Sequence, residues 1–398
     1  MIRDFGWTLL HHGVGRGALF VFFLLLPWLM DVDDVGRLTL TYTILLLLLQ
    51  PLLDTAVGTI LVKYTSRRQW STVRQTLHFL PKAILSAAIL VAAVSIVVPG
   101  QAPVLPLLGA AVLGAICLNS LYAWRRGLGD FRMEGIVGSF HKVMIVLVLG
   151  LLATTGWTGP TAAASAMLIG IVCAWFLLCI VFPGPLRQFI RLGTGPSAAH
   201  ASTASRLKEG LVLGTVGIVG LLYLRIDIVM LGFLRGHTDV GLYFTAARIL
   251  EASFIVPHVV MLVIFPRLAG TDNEENLLGR TALGLGAAGI LAAGVLAAIG
   301  RWIIPTLWGT GWAQTGEILI VLSLAAPPVF LGFVMTQALI AADLQNRYLV
   351  VAIVGLALNI GLNLVLIPHW GAHGAAAATV LTEIVVTAGA FLARISHQ

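Results

Sequence analysis

Long apolar runs separated by short polar stretches are the dominant pattern along this chain. An α-helix rises about 1.5 Å per residue, so a run of about 20 residues crosses the hydrocarbon core of a bilayer. The pattern therefore predicts an all-α integral membrane protein with about twelve transmembrane helices. The predicted spans are 6–30, 35–62, 78–98, 104–124, 133–155, 160–182, 209–232, 240–266, 281–305, 314–342, 347–368 and 371–394.

The composition agrees with a membrane protein and excludes an ordinary soluble domain. Hydrophobic residues make up 59% of the chain and charged residues only 10%, whereas soluble proteins carry about 25% charged residues. The net charge of +7 would also suit a nucleic-acid partner. However, the basic residues gather in short loops between apolar runs, which is typical of membrane proteins. We therefore expect membrane lipids as partners and no nucleic acid.

The distribution of basic residues predicts the orientation. Loops on one side hold Lys63, Arg67, Arg68, Arg74, Arg125, Arg126, Arg132, Arg187, Arg191, Arg206 and Lys208, whereas the opposite loops hold only Arg37, Arg235 and Arg301. By the positive-inside rule, both termini are predicted to be cytoplasmic. Arg3 ahead of an apolar stretch resembles a signal peptide, but no small-residue cleavage site follows Met30. We interpret this stretch as a retained first helix.

A polar connection divides the chain into two predicted lobes of six helices. The N-terminal lobe is 1–182, the cytoplasmic linker 183–208 and the C-terminal lobe 209–398. The start of the linker, PLRQFIRL, suits a basic amphipathic helix on the membrane surface, and its Gly/Ser/Ala remainder suits a flexible connection. DDVGRLTLTY recurs as TDVGLYFTAA, and GWTGPTAAASA as HWGAHGAAAAT. We interpret these pairs as a parallel repeat, typical of two-lobed transporters, rather than as chance similarity between membrane helices.

Four charged residues stand within otherwise apolar sequence in two consecutive predicted helices: Arg225, Asp227, Arg248 and Glu251. A charge inside a bilayer is costly, so such residues usually face a bundle interior or a water-filled cavity. If the two helices are antiparallel neighbours, Arg225 is expected near Glu251, and Asp227 near Arg248. A purely structural network and a substrate or ion site are both open interpretations of this cluster.

Two further cations lie within predicted spans. Arg16 lies about 15 Å into the first helix. It suits a cavity cation for a substrate phosphate, or a structural arginine that is neutralised by helix carbonyls or by Asp54. Lys142 stands about two turns into the fifth helix, where it could bind substrate or extend to the cytoplasmic face.

Acidic residues within the spans are candidates for ion coupling. Glu383 in the last helix is a candidate proton or sodium site, one turn from Thr379 and Thr387. Asp54 suits either a proton carrier or a partner for Arg16. Asn359 and Asn363 share one helix face and are expected to form hydrogen bonds between helices.

Catalysis and metal binding are not indicated. The three cysteines, Cys117, Cys173 and Cys179, lie in apolar runs, and no cluster of side chains has metal-ligand spacing. Gly284-x-Gly286-x-x-Gly289 matches a dinucleotide-binding motif, but it lacks the preceding strand and is better explained by close helix packing. The predicted outer loops, of about 5–15 residues, are too short for a catalytic domain. We therefore expect no enzyme activity, no metal and no cofactor.

Several motifs resemble one known family. RIDIVMLG, TDVGLYFTAARILE and IFPRLA lie between Arg225 and Ala269, and LNIGLNLVLIPHWGAHGAAAATVLTE lies at Leu358 to Glu383. These strings resemble the Wzx-type flippases of lipid-linked oligosaccharides, in the multidrug/oligosaccharidyl-lipid/polysaccharide superfamily. The resemblance implies a V-shaped, two-lobed fold and multi-pass insertion in the cell inner membrane. It also implies basic residues in the first helix, as Arg16 is.

The expected function is therefore transport of a polyprenyl-pyrophosphate-linked oligosaccharide by alternating access, for polysaccharide biosynthesis. The substrate cations would be Arg16, Arg225, Arg248 and Lys142, and candidates for ion coupling or pairing are Asp54, Asp227, Glu251 and Glu383. Coupling to a proton or sodium gradient and contacts with polysaccharide assembly proteins remain open. The alternatives are a cation-coupled multidrug exporter of the same superfamily and, less favoured, a membrane glycosyltransferase or polymerase.

Overall fold

The computed structural model describes residues 2–97, 103–194, 203–268 and 274–396, and these residues contain helices and no β-strand. The α-helices, in chain order, are α1 Ile2–Leu29, α2 Val32–Leu49, α3 Val57–Ser66, α4 Trp70–Val97, α5 Val104–Gly127, α6 Ser139–Thr154, α7 Pro160–Val181, α8 Pro183–Thr194, α9 Thr203–Leu234, α10 His237–Ser253, α11 Ile255–Leu268, α12 Glu274–Ala298, α13 Ile304–Trp308, α14 Ala313–Ser323, α15 Ala326–Ala341 and α16 Gln345–Ile395. Short π-helical segments lie at Gln50–Ala56, Glu134–Gly138 and Ile299–Ile303.

The helices are long and apolar enough for a multi-pass membrane protein, so the predicted all-α membrane fold is confirmed. The cytoplasmic location of both termini stays a prediction. Within the described ranges, nine continuous helical stretches qualify as membrane spans, and α14 with α15 forms a tenth that is bent by 46°. The apolar part of α1, Gly13–Leu29, is slightly shorter. α16 has 51 residues, or about 77 Å, more than twice the thickness of a bilayer core.

α16 is interrupted by a kink at Gly371, whose φ of 54° is outside the helical region. A Cβ at this position would overlap a carboxylate oxygen of Asp239, so both the backbone conformation and the packing require glycine. Arg235 bonds Asp239 at 3.1 Å and donates to the Pro368 carbonyl at 3.5 Å. This turn separates the last two predicted spans, 347–368 and 371–394.

The chain forms two compact units. The first contains Met1–Met30 and Thr41–Ile218, and the second contains Asp31–Leu40 and Val219–Gln398. In the first unit, α1 packs on α6, and α5 packs on α3 and α7. In the second, α15 packs on α12 and α16, and α10 packs on α14. The predicted lobe boundaries stay a prediction, and linker residues 195–202 lie outside the described residues.

A glycine allows close packing between α12 and α15. Gly289 of α12 faces Pro327 of α15, where a Cβ would come within 2.8 Å of the proline Cα. The packing interpretation of the Gly284–Gly289 motif is therefore confirmed for Gly289.

The two copies of the acidic-Val-Gly sequence pack directly against each other in the second unit. A Cβ at Gly36 would overlap the carbonyl oxygen of His237, and a Cβ at Gly241 would overlap that of Val32. Since Val32 and His237 hold the same place in the two copies, the contact is symmetric. The hydroxyl of Thr238 also donates to Asp33 at 3.2 Å. The repeated sequences thus occupy equivalent structural positions, in agreement with an internal repeat.

Candidate functional site

The charged cluster in the second unit contains one carboxylate between two guanidinium groups. Arg225 of α9 contacts Glu251 of α10 at 3.0 Å, and Arg248 contacts the other oxygen of Glu251 at 2.8 Å. The three side chains are 15%, 24% and 14% exposed, respectively. Arg248 also stacks on Phe244, with its guanidinium carbon 4.5 Å from the ring centre. The predicted Arg225–Glu251 pair is therefore confirmed.

The predicted Asp227–Arg248 pair is wrong. Asp227 instead accepts hydrogen bonds from the Tyr243 hydroxyl and, at 2.8 Å, from the backbone N–H of Ile228. The reason is helical geometry: residues two apart on a helix point to nearly opposite sides, so Arg225 and Asp227 cannot face the same partner. Arg248 lies one turn from Glu251 on its own helix and pairs there.

A small cavity of about 50 Å³ lies beside this cluster. A single water needs about 10–15 Å³, so a few waters or a small cation fit. Its lining includes the carboxylates of Asp227, Glu251 and Glu383, the Asn359 amide and the Thr379 hydroxyl. The cavity therefore brings together side chains from α9, α10 and both parts of α16.

Two tyrosines that the sequence analysis did not single out hold the cavity carboxylates. Tyr223 donates to Glu383 at 2.8 Å, and the Tyr243 hydroxyl, which donates to Asp227, lies 2.9 Å from the Thr379 hydroxyl. The spacing offered a signal, because Tyr223 precedes Asp227 by four residues and shares its helix face.

Asn359 and Asn363 bond to each other along α16, at 2.9 Å. The expectation that they form hydrogen bonds to another helix is therefore wrong for the described residues.

In the first unit, Arg16 and Lys142 are brought together by the packing of α1 on α6. The Lys142 side chain lies along α1 at Gly15, since a Cβ there would come within 3.0 Å of its Cδ and 3.2 Å of its amine. The two positive charges are close enough to act on each other. Arg16 is exposed and Lys142 is half-buried. Neither of them forms an ion pair with any residue in the described ranges.

Asp54 is not the partner of Arg16. It lies in the π-helical segment Gln50–Ala56 and accepts a hydrogen bond from the Asn119 amide at 3.2 Å. The structural interpretation of Arg16 as an ion pair with Asp54 is therefore wrong. Sequence alone does not reveal which helices are neighbours, and α1 packs on α6. The roles of Arg16, Lys142, Asp54 and Glu383 in transport stay predictions.

Among the residues that the structure describes, no group of three or more His, Cys, Asp or Glu side chains could hold a metal ion. The polar chemistry of these sites thus consists of carboxylates, guanidinium groups, an amine, amides and hydroxyls.

Comparisons with known proteins agree with the fold and with the motifs. A family model described as polysaccharide biosynthesis protein matches residues 1–271. The probable flippase AglR of Haloferax volcanii is 27% identical over 179 residues, which cover 43% of this chain and 37% of that protein. The probable low-salt glycan biosynthesis flippase Agl15 of the same organism is 27% identical over 202 residues, which cover 48% and 42%. The alignments thus span less than half the length of these curated relatives.

Solved structures resemble the whole chain in fold. The lipid II flippase MurJ in an inward closed conformation matches with a TM-score of 0.74 at 13% identity, over 99% of this chain and 88% of that one. An inward-facing multidrug resistance MATE transporter of the MOP superfamily matches with a TM-score of 0.69 at 12% identity, over 98% and 94%. The family match confirms the resemblance indicated by the sequence motifs, and the solved structures confirm the fold. These matching proteins are named as flippases and transporters, none as an enzyme.

Proposed function

The chain belongs to the polysaccharide biosynthesis protein family, and from this premise we propose that it is a flippase for a polyprenyl-pyrophosphate-linked oligosaccharide. The substrate would cross the cell inner membrane from the cytoplasmic to the outer leaflet by alternating access. Names of relatives that refer to flippases and glycan biosynthesis support this proposal.

The observation that carries the proposal is the excess of positive charge within the spanning helices. Arg16 and Lys142 form no direct ion pair with any described residue, although Glu134, which contacts Arg126, also attracts Lys142 electrostatically. A charge of this kind costs a few kcal/mol in a membrane unless it serves a ligand or lines water. A diphosphate carries the complementary negative charge, and an arginine can grip its oxygens with two parallel hydrogen bonds.

The second unit would contribute a weaker attraction for the diphosphate. Arg225 and Arg248 share one carboxylate, Glu251, so the group keeps one net positive charge. Half of the positive charge is thus neutralised internally, and in this proposal Glu251 has a pairing role. The main diphosphate ligands would then be Arg16 and Lys142.

Coupling to an ion gradient would use the cavity of the second unit. Asp227 and Glu383 line a space that suits a few waters or one small cation. A proton or a sodium ion bound there would neutralise a carboxylate, weaken its tyrosine hydrogen bond and so alter the packing of α9 against α10 and α16. Asp54, held by Asn119, is a second candidate for protonation.

Export of surface glycan tests the proposal. In a host strain that lacks its own copy, Arg16→Ala is expected to abolish export at matched protein level, and Arg16→Lys to keep part of it. Arg301→Ala, which removes an exposed arginine elsewhere in the chain, should export normally. Normal export by Arg16→Ala would contradict the assignment of Arg16 as a substrate ligand.

The fold of the matching MATE transporter favours a second candidate, a cation-coupled multidrug exporter. Positive charge from Arg16 and Lys142 would repel the cationic drugs that such exporters often carry. We therefore expect no change in accumulation of a cationic dye such as ethidium when the protein is expressed. Dye efflux that is lost in Asp227→Asn, with glycan export unchanged, would favour the exporter.

A further inference from the structure

Helix α8, Pro183–Thr194, packs its apolar side on the protein. Phe189 contacts Trp124 of α5 with ring centres 5.6 Å apart, and Gly193 faces Leu77 of α4. Leu186 and Leu192 on the same side are half-buried, although no residue of α8 is fully buried. An interfacial helix usually places this side in the lipid, as the sequence led us to expect. Here the apolar side contacts α4 and α5 instead.

The opposite side of α8 therefore points away from the protein, and it is basic. Arg187 and Arg191 lie one helical turn apart, and both are exposed. Ile190, next to them on the helix, is 52% exposed. The helix contains no acidic residue. This combination of two arginines and an exposed isoleucine is typical of contact with a lipid surface.

The acidic residues at the end of α5 already have basic partners. Asp130 accepts hydrogen bonds from the Arg125 side chain and, at 3.0 Å, from the backbone N–H of Arg132. Burial alone would raise the pKa of Asp130, but these bonds outweigh it and hold the pKa below its usual range. Glu134 contacts Arg126 at 3.5 Å. Arg187 and Arg191 form no ion pair with any described residue, so their charges remain available.

The position of α8 along the chain puts it at the membrane boundary. The apolar helix α7 ends at Val181, and α8 begins two residues later at Pro183. Phe182 closes the last turn of α7 by donating its N–H to the Leu178 carbonyl at 2.9 Å. Because α7 qualifies as a membrane span, the residues that follow it lie at the level of the lipid headgroups, on the side that carries the basic loops.

We propose that the outer side of α8 is a binding surface for the phosphate groups of anionic phospholipids, with Arg187 and Arg191 as the ligands. Two guanidinium groups one turn apart can each donate two hydrogen bonds to phosphate oxygens. Ile190 adds an apolar contact with the acyl chains beside the headgroups. A lipid is favoured over a soluble anion, because both the membrane boundary and the exposed isoleucine belong to the site.

The test measures lipid-dependent thermal stability of the purified full-length protein. Phosphatidylglycerol should raise the melting temperature, whereas phosphatidylcholine and inorganic phosphate at equal concentrations should not. The variant R187Q/R191Q should need about 10- to 30-fold more phosphatidylglycerol for the same shift, because each arginine near an anionic surface contributes about fivefold. The control K208Q/R280Q, which removes two exposed charges elsewhere, should respond like the wild type.

A second variant separates charge from folding. R187K/R191K keeps both charges and should retain most of the response to phosphatidylglycerol. An unchanged response in R187Q/R191Q, or an equal response to phosphatidylcholine, would overturn the proposal. Stabilisation of the wild type by inorganic phosphate alone would show that the ligand is a free anion and not a lipid. No glycan substrate is involved, so these outcomes are independent of the proposed transport activity.

Discussion

The two units differ in whether their intramembrane cations form direct ion pairs. In the second unit, Glu251 lies between Arg225 and Arg248, at 3.0 and 2.8 Å, so both arginines are directly paired and one of their two charges is balanced. In the first unit, Arg16 and Lys142 lie on neighbouring helices and form no direct ion pair with any described residue, and the nearby Glu134 contacts Arg126 instead. The residue types are similar, but the cations of the first unit are not held in direct ion pairs and are therefore the more available to a ligand.

This difference assigns different tasks to the two regions. Removal of one residue from a group of paired charges leaves a buried charge unpaired. Such a substitution should therefore lower the free energy of unfolding. A cation that is exposed and unpaired contributes little to folding, so its loss should appear as lost ligand binding. The predictions below compare the two regions on this basis, beginning with the largest expected change in stability.

Glu251→Ala should be the most damaging substitution. It leaves two half-buried guanidinium groups without their shared carboxylate, and removal of one partner from a buried ion pair costs about 3–5 kcal/mol. Thermal and denaturant unfolding of purified protein would measure the loss. Glu317→Ala is the matched control, because the Glu317 side chain is 67% exposed and should matter little. Equal stability of the two variants would mean that the cluster is not a structural element.

Tyr243→Phe should cost less, about 1.5–3 kcal/mol, because it removes a hydrogen bond to the buried carboxylate of Asp227. The matched variant Tyr223→Phe removes the bond to Glu383 from a half-buried tyrosine and should cost less than Tyr243→Phe. Unfolding of both variants under the same conditions provides the comparison. If Tyr223→Phe lowered the free energy of unfolding more than Tyr243→Phe, the Tyr223–Glu383 pair would be the more stabilising one, which would contradict this prediction.

Arg16→Ala should change the free energy of unfolding by about 0.5 kcal/mol or less, as is usual for an exposed side chain without special contacts. The same unfolding assay applies, with Glu251→Ala as the contrasting variant. A loss of several kcal/mol would indicate that Arg16 is structural, and the distinction between the two units would disappear.

A double-mutant cycle between Asp227 and Arg248 should give a coupling energy of about 0.5 kcal/mol or less, since the two side chains have different partners. A parallel cycle between Arg225 and Glu251, which are in contact, should give a clearly larger value. Strong coupling in the first cycle would restore the pairing that we expected from the sequence.

The sequence predicted the helical spans well because hydrophobic runs report directly on burial in lipid. Each of the twelve predicted spans lies within described helix for most of its length, and even the division of the 51-residue α16 falls at the predicted position near Gly371. The amphipathic start of the linker forms α8 as predicted, although its apolar side packs on α4 and α5 rather than facing lipid. The periodicity of a sequence shows that a helix has an apolar face. It does not show whether that face contacts lipid or another helix, because this depends on tertiary packing.

The site was only partly predictable for a similar reason. Arg225–Glu251 followed from the expectation that α9 and α10 are antiparallel neighbours. Asp227 was assigned to the wrong partner, although the spacing of two residues from Arg225 already excluded a common direction. Asp54 is only one alternative partner that the sequence offers for Arg16, and it rests on charge alone, whereas the packing of α1 on α6 brings Arg16 to Lys142.

The central claim is that Arg16 and Lys142 bind the diphosphate of the substrate, and direct binding tests it most closely. Farnesyl diphosphate serves as the probe, and calorimetry with purified protein would compare the wild type, Arg16→Ala with Lys142→Ala, and the control Arg301→Ala. The affinity of the double variant Arg16→Ala/Lys142→Ala should fall about 10- to 100-fold, because charge-assisted hydrogen bonds to the diphosphate are lost. The affinity of the control Arg301→Ala should stay unchanged. Wild-type affinity in the double variant would contradict the account.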